Sequence, residues 1–395
     1  MVYSDKGHLD YYKTFNISPV RYDVSNLRTH FDRRASLYRQ LGLPEVAFRG
    51  SRVLEVASGS GSNSLYLSKI HPKSLELVEP NPTAIKDIRK TQETYGVGGT
   101  RPILHENILQ NFTPEILYDV VICENWLGAK PDERTLIKKL TTFVAPGGAL
   151  VLTIVPLSGF MPNILRKLMA DRIVSPDMNF DSKTDLMLQA FSPHLSTIKD
   201  MTRSYTDWVH DCMINPHYLN VALPLNIVLK DIGKTMDALG SSPSFNTDWR
   251  WFKSLHGSAR NFNKQFLENH ICNTHNFIDY RYVYPPRLAA ENQTLENECT
   301  ALHQNSIELE KSLTQGLGWR HSNADELLKN LDRAAQELSV ISKHFSDALK
   351  EAGDVLAADS LNAAMIANQK YFCSLFGRET VYVSFTRNPD NEASY

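Results

Sequence analysis

The chain of 395 residues has no apolar run approaching the ~18 residues a membrane-spanning helix needs, so neither a membrane span nor a membrane partner is expected. Its five cysteines, Cys123, Cys212, Cys272, Cys299 and Cys373, lie far apart with no C-x-x-C pair. That spacing argues against a disulfide framework and a structural zinc site, and no metal is expected. The opening residues, MVYSDKGHLDYYKTF, lack the apolar core of a secretion signal, which together with the scattered thiols leads to the expectation of a cytoplasmic protein. An excess of one charge is missing too. With 42 Lys and Arg against 44 Asp and Glu, the formal net charge of -2 gives no electrostatic reason for a nucleic-acid partner.

What is present is a change of texture along the chain. Residues 52–157 alternate short apolar, β-branched runs with amphipathic stretches, the rhythm of a parallel sheet covered on both faces. The runs are Arg52–Val56, Ser74–Val78, Pro102–Leu104, Asp119–Cys123 and Ala149–Val155, with helix-like segments at Asn63–Ile70, Pro82–Tyr95 and Pro131–Phe143. Pro146-Gly147-Gly148 reads as the turn into the last of these strands, and Leu239-Gly240-Ser241-Ser242-Pro243 as loop punctuation. Phe277–Val283 and Thr380–Thr386 both read as strands and are expected to pair as an antiparallel edge. Residues 288–372 contain no proline and repeat Leu327, Leu328, Leu331, Ala334, Ala335 and Leu338 at helical spacing, with a break at Gly316–Gly318.

The expected fold is therefore α/β, a doubly wound, mostly parallel seven-stranded sheet with an antiparallel edge, plus a large mostly helical insertion and a helical hairpin. The expected organisation is lid and lead-in helices over 1–50, a Rossmann-like core over 51–157 and a substrate cap over 158–275. A sheet strand over 276–287, the hairpin over 288–376 and a final edge strand with its tail over 377–395 complete it. The apolar stripe of 288–372 suits packing either on the main body or on a second subunit, which would make a homodimer through that segment.

The strongest local signal is Val53-Leu54-Glu55-Val56-Ala57-Ser58-Gly59-Ser60-Gly61-Ser62-Asn63. A buried strand carries an acid and runs into a glycine-rich bend that opens a helix, where the backbone must turn tightly and let a ligand approach. Dinucleotide sites use the same geometry, but they normally place a third Gly or Ala where this chain has Ser64. An acid inside a buried strand is costly unless a cation needs it. The methionyl ammonium of S-adenosylmethionine is such a cation. Glu79, 24 positions on and followed by Pro80-Asn81, ends the second strand, where a carboxylate can accept from both ribose hydroxyls. His105-Glu106-Asn107 ends the third strand with an amide for the adenine edge, and Glu124-Asn125-Trp126 ends the fourth, facing the transferred methyl.

As a set, VLEVASGSGSNS, LVEPN, HENIL, YDVVICENWLG and FVAPGGALVLTIV resemble the class I S-adenosylmethionine-dependent methyltransferase family over about a third of the chain. By that resemblance Glu55, Ala57, Gly59 and Gly61 match the glycine-rich motif, Glu79 the ribose-binding acid and Asn107 the adenine-side Asp; Asn81, beside Glu79, is a further cofactor-binding candidate. Ala57 stands where the family usually has glycine, and Asn107 where it usually has Asp. Residues His30–Tyr38 resemble the lid helix that precedes the first strand in many small-molecule members, with Phe31 and Tyr38 placed to close over the methionine end.

A nucleophile also needs a base within hydrogen-bond reach. The candidates are Glu124, His210 and Asp211; Asp207, His210 and Asp211 share one face if the segment is an α-helix. The same spacing suits either a divalent metal or a plain helix cap. Asn246–Lys253 brings two tryptophans and a phenylalanine beside charges, which suits a carbohydrate or planar acceptor, or a core helix. The leading expectation is methyl transfer to O or N of a small molecule or glycan precursor. The alternatives are a protein side chain as acceptor, a non-catalytic cofactor-binding scaffold, and a nicotinamide oxidoreductase.

Overall fold

The computed structural model describes residues 7–18, 21–175, 177–314, 319 and 324–388. Helices α1 (Gly7–Thr14) and α2 (Leu27–Gln40) precede the first strand, β1 (Arg52–Val56). Then follow α3 (Ser62–Lys69), β2 (Ser74–Val78), α4 (Pro82–Tyr95), β3 (Ile103–His105), β4 (Tyr118–Cys123), α5 (Pro131–Phe143) and β5 (Val144–Ile154). Next come α6 (Leu157–Ile173), α7 (Phe180–Leu195), α8 (Tyr205–Trp208), α9 (Leu225–Ile232) and β6 (Met236–Ser242). The rest are α10 (Phe262–Cys272), α11 (Ala289–Thr314), α12 (Ala324–Ser339), α13 (Lys343–Ala357), α14 (Ala363–Ala367) and β7 (Val381–Arg387). The chain divides into two compact units, one of Met1–Ile154, Leu223–His270 and Thr380–Tyr395, the other of Val155–Ala222 and Ile271–Glu379.

The first unit is a seven-stranded sheet in the order β3-β2-β1-β4-β5-β7-β6. β7 runs antiparallel to both neighbours and the other pairings are parallel, as the alternating pattern predicts. Apolar side chains from the strands, Val53, Leu75, Leu77, Val120, Ile122 and Val151, form a buried layer with Tyr66 and Leu67 of α3. Strand order reverses between β1 and β4, which places the topological switch point, where open α/β sheets bind ligands, at the carboxyl ends of these strands.

Two readings of the edge need correction. Phe277–Val283 is not a strand, because its carbonyls are spent on a side chain: Arg378 donates to the carbonyls of Asp279 (2.6 Å) and Tyr280 (2.7 Å). Asp279, fully buried, in turn holds Arg281 at 2.6 Å. The partner of β7 is β6, whose Gly240 had the look of a turn. It marks a close backbone approach instead, since a Cβ there would lie 2.7 Å from the Leu41 carbonyl carbon and 2.9 Å from the Gln40 oxygen. Pro146-Gly147-Gly148 likewise lies within β5, where a register shift against β4 absorbs it.

The second unit is helical and has its own core, in which Phe160, Ile164, Leu168, Phe191, Leu302 and Phe345 are buried. α6 is buried all round from Leu157 to Ala170, its polar residues included. Asn163 donates to the Tyr218 hydroxyl (3.0 Å), which donates to Glu379 (3.0 Å). Lys167 pairs with Asp171 and with Glu310. The expected hairpin of α11 and α12 is extended by α13; its break at Gly316–Gly318 lies outside the described residues. The stripe of Leu327, Leu331, Ala334, Ala335 and Leu338 is buried inside this unit, with Leu328 partly buried against it. No helix among the described residues is long and apolar enough to cross a membrane.

Gly240→Val should lower stability by about 1–3 kcal/mol through overpacking against the end of α2. Urea unfolding measures this, and an unchanged midpoint would show that α2 does not seat on β6.

Candidate functional site

The site starts at the exit of β1. Within five residues the backbone enters the left-handed region three times, at Ala57 (φ 57°), Gly59 (φ 56°) and Gly61 (φ 74°). Gly61 also sits on α4, where a Cβ would meet Ile88 at 3.0 Å. Ala57 has a Cβ in a conformation that costs roughly 1–2 kcal/mol. Its amide, donating to the Val78 carbonyl at 2.9 Å, helps hold it there. Strain of this kind, kept by the surrounding structure, gathers at ligand sites.

Two carboxylates flank this bend on adjacent strands. Glu55, buried in β1, accepts from the Ser64 hydroxyl at 2.5 Å. Glu79, just past β2, accepts from the Gly59 amide (2.9 Å) and the Asn81 amide (2.9 Å). Asn81 caps α4 through Thr83 and donates its side-chain amide to Ile17 at 2.9 Å. Burial pushes Glu55 up to about 7, helped by the nearby Glu124, and it pushes Glu79 up to about 7 as well. Each is thus a buried acid facing neutral donors, an arrangement a cation or a pair of hydroxyls would complete.

Glu124 ends β4, the strand on the other side of β1. It is not a bare carboxylate beside an acceptor: Arg34 of α2 donates to both its oxygens (2.6 and 3.1 Å), and Asn63 donates at 3.1 Å. Arg34 also reaches the Tyr38 hydroxyl at 2.6 Å. Arg34 and Asn63 are not among the residues expected at the site. The signal was there, since His30, Arg34 and Tyr38 recur every fourth position and form the buried face of α2. Tyr38 is fully buried against Phe48 and Tyr66, so it is a core residue and not a mobile lid; Phe31 packs on Tyr66. Asn125, next to Glu124, is left-handed and donates its amide to Thr153 at 2.7 Å.

The remaining candidates are placed as follows. Asn107 turns its carboxamide oxygen onto the Ile108 amide (2.9 Å), leaving the amide nitrogen as the donor to offer. His105 pairs with Glu76 at 2.8 Å. His210 and Asp211 belong to the second unit, on a π-helical turn over Val209–Ile214, so the α-helical face expected for them does not form. The His210 Nε2 bonds the Thr184 hydroxyl at 3.0 Å and its ring lies against Phe180, while Asp211 holds Arg203 at 2.8 Å. Among the described residues, no group of three or more His, Cys, Asp or Glu is arranged to hold a metal. Trp249, Trp251 and Phe252 are exposed, which removes the core reading of that cluster.

Residues 28–215 match the model of a family described as a methyltransferase domain, from α2 through the turn that carries His210. Over these residues, just under half of the chain, it carries a methyltransferase domain. Its cofactor is S-adenosylmethionine. Among solved structures, the chain is similar to the N-methyltransferase NodS from Bradyrhizobium japonicum WM9, at 14% identity over 55% of this chain and 88% of that one, with a TM-score of 0.33. It is also similar to the magnesium protoporphyrin IX methyltransferase of Synechocystis PCC 6803, at 17% identity over 38% and 70% of the two chains, TM-score 0.31. No curated protein matches it.

These contacts set two expected outcomes. Removing Glu124 leaves Arg34 buried without its partner, so Glu124→Ala should cost about 3–5 kcal/mol in urea unfolding. A loss below 1 kcal/mol would show that the pair is not buried in solution. Glu55 and Glu79 hold protons more tightly folded than unfolded, from an ordinary 4.5 up to about 7. Their contribution to stability therefore declines as pH rises from 4.5 to about 7 and is level above. Glu55→Gln and Glu79→Gln should each flatten that slope; an identical slope in both would contradict the burial of these acids.

Proposed function

We propose that this enzyme transfers a methyl group to an oxygen or nitrogen of a small molecule or glycan precursor. The carrying observation is the pair of buried carboxylates, Glu55 and Glu79, on neighbouring strands around a left-handed bend. In this reading Glu55 takes the methionyl ammonium, and the bend of Ala57, Gly59 and Gly61 lets the amino-acid tail approach the backbone. Glu79 accepts from the ribose hydroxyls, with Asn81 fixing the turn beneath it, and Asn107 donates to the adenine edge. Glu124, held by Arg34, borders the methyl position, so its part is to position the cofactor and not to move a proton. The bound cofactor supplies the electrophilic methyl; the chain supplies alignment and, where the acceptor carries a proton, a base.

His210 is our candidate base. Burial lowers its pKa, which favours a neutral imidazole able to accept a proton, and the bond to Thr184 fixes the ring. Asp211 serves it indirectly, by anchoring Arg203. A glycan or planar acceptor accords with the aromatic, non-repetitive sequence of 158–275, and no metal is required.

Calorimetric titration tests the cofactor assignment. S-adenosylmethionine should bind and NAD should not, with Glu79→Gln weakening binding by about 10–100-fold through one charged hydrogen-bonding group. Binding of NAD, or an unaltered Glu79→Gln, would overturn it. His210→Gln should lower kcat about 100-fold at unchanged cofactor affinity; full turnover would remove His210 from the mechanism.

A further inference from the structure

The segment between β6 and α10 is the most exposed apolar feature of the first unit. Trp249 is 92% exposed, Trp251 62% and Phe252 67%. Three large aromatics side by side in water need an explanation that a single exposed residue does not. They are not loosely held. Arg250, between the tryptophans, clasps Asp248 with two bonds (2.8 and 2.6 Å), and also donates to the Ala259 carbonyl (2.9 Å) and the Asn261 side chain (2.6 Å). This internal staple closes the base of the loop and turns its neighbours outward.

Charge gives the loop its preference. The one acid of the tip, Asp248, is taken by Arg250. Lys253, Arg260 and Lys264 are exposed; Lys253 lies over Trp251 at 5.7 Å, and Arg260 has Asp237 4.0 Å away. The Trp251 and Phe252 rings meet at 5.0 Å and 52°, which leaves no parallel slot for a nucleic-acid base. Trp and Phe ringed by Lys and Arg are suited to an interface where an apolar layer begins beneath negative headgroups.

The loop lies against the edge strand of the sheet: Arg260 reaches Asp237 near the start of β6, and Asn263, just after Arg260, bonds the backbone of Met236 and Ala238 in that strand. We propose that Trp249, Trp251 and Phe252, with Lys253, Arg260 and Lys264, dock this enzyme peripherally on an anionic lipid bilayer. This departs from the expectation of no membrane partner, which rested on the absence of a spanning segment; surface docking needs none.

Sedimentation with phosphatidylserine/phosphatidylcholine vesicles, against phosphatidylcholine alone, tests this without reference to methyl transfer. The protein should partition to the anionic vesicles. Replacing Trp249, Trp251 and Phe252 together by Ala should weaken this about tenfold or more, and Lys253→Gln about fivefold, with circular dichroism and melting unchanged because these side chains are exposed. Brominated lipid should quench the fluorescence of the protein but much less that of the Trp249→Phe, Trp251→Phe variant. Failure to bind anionic vesicles, equal binding to both kinds, or aromatic substitutions that abolish self-association instead of vesicle binding would each overturn the proposal.

Discussion

At the exits of β2, β1 and β4, three neighbouring parallel strands, the protein buries Glu79, Glu55 and Glu124, and the rest of that rim is arranged around this concentration of acids. Arg34 answers Glu124 directly. Glu55 meets a hydroxyl and Glu79 two backbone amides, donors that solvate a carboxylate without neutralising it. The ligand-free fold meets this cost by raising the proton affinity of both. The burial that penalises their ionised forms would also strengthen their attraction to a cation, because the medium around them screens weakly. Poor accommodation of charge in one state would thus be a source of affinity in the other.

Much of this was legible in the sequence because it rests on local pattern. Apolar runs ending in acids placed β1, β2 and β4 with Glu55, Glu79 and Glu124 at the expected rim, and the glycines marked a bend that does enter the left-handed region. What escaped depended on contacts distant in sequence. Arg34 meets Glu124 across 90 positions, and no local rule connects a polar helix face to a strand end that far away. Gly240 was misread because a glycine set for close approach to Leu41 looks the same in sequence as one set for a turn. Phe277–Val283 has strand-like residues, but Arg378 claims its carbonyls from 96 or more positions downstream.

α6 shows the same limit in another form. Its polar residues Asn163, Arg166 and Lys167 suggest a solvated side, yet all three are buried. Arg166 lies over Phe376 at 3.7 Å and donates to the carbonyls of Phe372 and Cys373. Burial of such groups is tolerated where every donor finds an acceptor, and here the acceptors come from a segment some 200 residues away. The sequence announces the cost of these residues but not the partners that offset it.

The arrangement of the sheet has a consequence for biogenesis. β7 lies between β5 and β6 and is hydrogen-bonded to both, yet it follows every other described element in the chain. Until it emerges from the ribosome, β5 and β6 each present an unsatisfied edge in a half-built sheet, a state that invites pairing with other nascent chains. β7 is therefore a keystone of the sheet, the strand that closes both of those edges at once.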